Sequence, residues 1–79
     1  MALRISVIPV GDGWSVRSPS FENDMLFSAG AKAEAAAREL ARRYAERGQS
    51  AEVAIFLRDG ALAGRFLHPA DARLDAVPA

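Results

Sequence analysis

Seventy-nine residues suffice for one domain and not for two, and a chain this short buries only a little over ~60% of its unfolded surface, so its core is thin. It has no cysteine, which excludes disulfides and thiolate zinc sites, and its ten basic residues are balanced by ten acidic ones. Dedicated nucleic-acid binders usually carry a basic surplus, because phosphate neutralisation drives their affinity.

Residues 3–9 are apolar and β-branched, with Leu3, Ile5 and Val7 on one face and Arg4 and Ser6 on the other. Residues 5–10 lie behind Arg4 as a signal peptide's apolar core would, but the run is too short and Pro9 interrupts it. No stretch approaches the ~20 apolar residues of a membrane span, and the protein is read as cytoplasmic. Gly11-Asp12-Gly13 predicts a tight reversal, after which Trp14 and Val16 resume the alternation. The two runs form a hairpin with Leu3, Ile5, Val7, Trp14 and Val16 inside. Residues 18–24 are polar, contain Pro19 and read as a loop; residues 25–27 are a short third strand leading into a helix.

The helix is expected from about residue 29 to residue 47, with Ser28 as its cap and Gly48 as its left-handed terminator. At 100° per residue, Ala29, Ala33, Ala36, Ala37, Leu40, Ala41 and Tyr44 share one face, which lets the helix sit close to a sheet. Glu34 with Arg38, Glu39 with Arg43, and Arg42 with Glu46 are spaced four apart for surface ion pairs. Residues 52–58 form a strand with Val53, Ile55 and Leu57 inside; Asp59-Gly60 turns the chain, and Leu62, Gly64 and Phe66 alternate on the return.

The order β-β-(β)-α-β-β predicts an α+β fold: a single antiparallel sheet of four or five strands with one amphipathic helix on one face. Residues 1–68 form the domain, residues 69–79 a loose tail, and Trp14 and Phe66 are expected to be the main core anchors. The opposite sheet face then carries Ala54, Phe56, Ala63, Leu67 and Ile8. Phe56, Ile8 and Leu67 make an apolar patch there, and such patches mark interfaces. A two-fold homodimer through this face is the simplest expectation.

No constellation for catalysis emerges. His68 is the single histidine; Asp71 is near it but no serine is, so it reads as an inert strand-end residue. Glu22-Asn23-Asp24 lacks the alternating ligands and central glycine of a calcium loop. Gly11-Asp12-Gly13 leads into a strand, whereas phosphate cradles lead into a helix. Arg38, Arg42, Arg43 and Arg47 are interleaved with glutamates and read as a solvated face. No metal or cofactor is expected.

Gly13-Trp14-Ser15-Val16-Arg17, Phe27, Lys32-Ala33-Glu34-Ala35, Arg38-Glu39-Leu40-Ala41-Arg42, Ala51-Glu52-Val53 and Arg58-Asp59-Gly60 together resemble the small bacterial proteins grouped as domain of unknown function 2188. The likeness covers about residues 5–62 and departs from the pattern in the longer loop 18–24, the longer helix end 44–50 and the absence of basic character. The resemblance implies a bacterial source and this fold; the family has no settled activity. The hairpin, the Pro-containing loop and the alanine-containing helix also resemble HicB-type antitoxins, although Asp59-Gly60 fits them less well. The expected function is a non-enzymatic, self-associating protein-interaction or regulatory module. The alternative is a nucleic-acid-binding or antitoxin-like module.

Overall fold

A computed structural model describes residues 2–70. The elements run β1 (Leu3–Val10), β2 (Gly13–Arg17), β3 (Met25–Phe27), α1 (Gly30–Glu46), β4 (Ala51–Phe56) and β5 (Leu62–His68). The expected α+β architecture is present, with all five strands in one sheet of order β3-β2-β1-β4-β5 and α1 on one face. Three of the four pairings are antiparallel, as expected; β1 and β4 pair in parallel, so the sheet is mixed. The parallel pair follows from connectivity. The chain leaves the end of β1 into the β2–β3 meander and returns through the helix to the other side of β1, entering β4 in the same direction.

The core lies between α1 and the inner rows of β1, β2 and β4. Ile5, Val7, Val16 and Val53 are the largest apolar side chains that are fully buried, packed on Ala33, Ala37 and Ala41. Alanine supplies little volume, so the helix approaches the strands closely and β-branched residues of the sheet fill the layer. Trp14 is only partly buried at the rim of this core, and Phe66 stands on the edge strand β5 with its ring under Arg38, 3.8 Å from guanidinium carbon to ring centroid. The expectation that Trp14 and Phe66 anchor the core is therefore corrected: a four-residue-period alanine face is too narrow to cover both edges of a five-stranded sheet.

Three further local expectations change. Ser28 makes no cap; Ala29 occupies the N-cap position in extended conformation without a side-chain hydrogen bond. Leu57 lies beyond the end of β4 and is half exposed, because the turn closes there through Leu57 N–H to Ala61 and Gly60 N–H to the Leu57 carbonyl. A register shift after Ile55 leaves Ala63 as the extra residue and seats Leu62 opposite Phe56, so Leu62 leaves the helix side of the sheet. Gly48 ends the helix as expected, with φ +86°, and its N–H bonds the Ala45 carbonyl. Of the expected tail, Pro69 and Ala70 fall within the described residues, Ala70 donating its N–H to Ser50 Oγ at 3.0 Å; residues 71–79 lie outside them.

Candidate interaction surfaces

The sheet face turned away from the helix is organised in rows by strand register. Leu26 pairs with Ser15, Ser15 with Ile8, and Phe56 with Leu62. The parallel register of Val7 with Ile55, carried one residue further, sets Ile8 beside Phe56. The result is a continuous row Leu26, Ser15, Ile8, Phe56, Leu62 crossing the whole sheet. Four inter-strand steps make it about 19 Å long. Leu26 is 73% exposed and Leu62 48%, while Ile8 and Phe56 are half-buried. Of the three residues predicted for an interface, Ile8 and Phe56 thus stand side by side. Leu67 shares their face and is 64% exposed, but pairs with Glu52 on the far side of the Ala54–Arg65 pair. Leu26 and Leu62 escaped the sequence reading because their placement depends on the β2–β3 register and on the shift near Phe56.

Polar groups border the row. Asp24 accepts from Ser15 Oγ at 2.7 Å and Arg17 Nε at 2.8 Å, which closes the outer face of β2 and buries Ser15 completely. These bonds, Arg17's first, hold the Asp24 carboxyl below the ordinary carboxylate range. Glu52 lies between Arg65, 2.7 Å away, and Arg4, 3.0 Å away, and both guanidinium groups lower its pKa, Arg65 most. Ala54 sits among these residues and is fully buried. Arg58 reaches from the β4–β5 turn to the Gly11 carbonyl at 2.9 Å, tying the two hairpin turns together.

The helix arginines are engaged as their spacing predicts. Arg38 lies 3.3 Å from Glu34, Arg43 lies 3.5 Å from Glu39, and Arg42 bonds both Glu39 and Glu46. Arg42 lowers the Glu39 pKa and is itself raised, chiefly by Glu39. His68 pairs with Ala51 at the end of β5; Asp71, its neighbour in sequence, lies outside the described residues. Glu22 and Asn23 remain in the exposed loop, while Asp24 is taken up by Ser15 and Arg17. Among the described residues no group of three or more His, Asp or Glu side chains converges in a way that could hold a metal, and no helix is long and apolar enough to cross a membrane.

On the helix side, the loop after β2 is pinned to α1. The Tyr44 hydroxyl meets Ser18 Oγ at 2.9 Å and donates to Ser20 Oγ, while Ser18 Oγ also accepts the Ser20 N–H at 3.3 Å. Phe21 lies just beyond this clasp, 48% exposed, and with Leu40, Arg43 and Arg47 lines a cleft of about 250 Å³. The sequence marked Tyr44 as a core residue and 18–24 as a loop, but gave no signal that the two meet, because that contact is 24 to 26 residues apart.

No family model, no curated protein and no solved structure matches the chain.

Proposed function

We propose that the protein is a non-enzymatic, self-associating interaction module of regulatory type, which forms a two-fold homodimer through the open face of its sheet. The observation that carries this reading is the apolar run Ile8, Phe56, Leu62, with Leu26 beyond Ser15 in the same row, which no element among the described residues covers. An apolar centre bordered by the Arg17–Asp24 and Arg4–Glu52–Arg65 groups has the core-and-rim anatomy of protein interfaces. A thin core also favours association, since a second copy removes more apolar surface from water. The likeness to the domain of unknown function 2188 proteins belongs to the same proposal and bears on the fold alone.

Size-exclusion chromatography with light scattering across micromolar concentrations tests it. A dimer is expected, and Phe56→Glu should convert it to a folded monomer, because the ring is only half-buried within one chain. A strict monomer across that range refutes the reading.

A second reading, a nucleic-acid-binding or antitoxin-like module, draws on one observation of the same face: Arg4, Arg17 and Arg65 share only two carboxylates. The helix adds little to it, since Arg38, Arg42 and Arg43 already face glutamates. Retention of single- or double-stranded nucleic acid at low salt, weakening steeply as salt rises, is its expected signature. No retardation at low salt removes it.

A further inference from the structure

The cleft beside the helix C-terminus lies on the opposite side of the sheet from the Phe56 row, so a site there stands apart from dimerisation. Its walls are apolar: the Phe21 ring, Leu40 and the Tyr44 ring. Its charge is entirely cationic. Arg43 is 3.5 Å from a Glu39 carboxylate that Arg42 also engages, and Arg47 has no ion-pair partner among the described residues.

Cations in a last helical turn are favoured by the helix dipole, which accounts for two arginines there without any ligand. The dipole does not account for an aromatic ring lining the same cleft. Two of the last helical carbonyls are also taken up, that of Tyr44 by the Arg47 and Gln49 N–H groups and that of Ala45 by the Gly48 N–H.

The hydroxyl network adds a donor. The Ser20 hydroxyl lines the cleft and is joined to the Tyr44 hydroxyl, which also meets Ser18, and a hydroxyl can both donate and accept. The same bonds fix the loop that presents Phe21, so the cleft is formed before any ligand arrives.

We propose that this cleft binds a small aromatic carboxylate, its ring against Phe21 and Leu40 and its carboxylate on Arg47, with Arg43 and the Ser20 hydroxyl alongside. The size agrees: a cavity of roughly 150 Å³ already admits benzene, and this one offers about 250 Å³. The charge agrees as well, because a guanidinium fork is the side chain best matched to a carboxylate.

The test is a titration of the isotope-labelled full chain by amide NMR with sodium benzoate, and with benzamide as the uncharged isostere, at constant ionic strength. Benzoate should produce saturable shifts centred on residues 20, 21, 44 and 47, and benzamide should bind roughly tenfold more weakly, the usual worth of a charge-assisted hydrogen bond. Arg47→Gln, at an exposed position, should weaken benzoate by about the same factor and leave benzamide unchanged. Phe21→Ala should weaken both ligands. Shifts that fail to saturate or scatter over the surface, equal affinity for the two ligands, or no effect of Arg47→Gln would each overturn the proposal, whatever the oligomeric state.

Discussion

Gly30→Ala is expected to destabilise the protein even though alanine is the better helix former. Gly30 is the first residue of α1, and a Cβ there would stand 2.9 Å from Trp14 Cε2 and 3.1 Å from Cζ2. Carbon atoms prefer about 3.5–4.0 Å, so the shortfall is roughly 0.6–1.1 Å. The indole cannot swing aside freely, since Trp14 lies between Pro9 of β1 and Phe27 of β3 in the ladder. Overpacking of this kind costs about 1–3 kcal/mol, while replacing glycine in a helix returns at most about 1 kcal/mol. The net loss is about 1 kcal/mol, which lowers Tm by roughly 4–8 °C in a domain of this size. Urea denaturation followed by Trp14 fluorescence and far-ultraviolet circular dichroism measures it. Ala35→Gly, on the exposed side of the same helix, calibrates the propensity term and should cost about 1 kcal/mol by itself. A Gly30→Ala protein as stable as the parent, or more so, would refute the reasoning and show that the indole yields without cost.

Other outcomes follow from the same structure. Tyr44→Phe removes the clasp on Ser18 and Ser20; because Ser18 Oγ keeps the Ser20 N–H, the loss should stay near about 1 kcal/mol, with faster amide exchange over residues 18–21. Leu67→Glu should leave the dimer intact where Phe56→Glu dissociates it, since the Ala54–Arg65 pair separates Leu67 from the apolar row; light scattering distinguishes them. Stability should also fall on acidification. Asp24, Glu39 and Glu52 have folded pKa values below their unfolded ones, which lie near about 4. Their contribution is complete above that pH and is lost as pH falls through the folded values. Denaturation midpoints between pH 7 and pH 3 should show this, and Arg17→Gln should reduce the acid slope through Asp24.

Much of this fold could be read from the chain. Alternation in residues 3–9, the turn glycines, the alanine period of the helix and the terminator Gly48 are local signals, and each requires only near neighbours to act. Ile8 and Phe56 could be assigned to the open face by parity alone, because successive strand residues point to opposite sides. Tertiary structure decided what depends on register and pairing partners. The parallel β1–β4 pair brought Ile8 against Phe56, the shift after Ile55 moved Leu62 to the open face, and the narrow alanine stripe left Trp14 and Phe66 at the margins. It also joined Tyr44 to Ser18 and Ser20 and so built the cleft that Phe21 lines. Those contacts join residues far apart in the chain, and periodicity, which states only the side a residue faces, does not contain them.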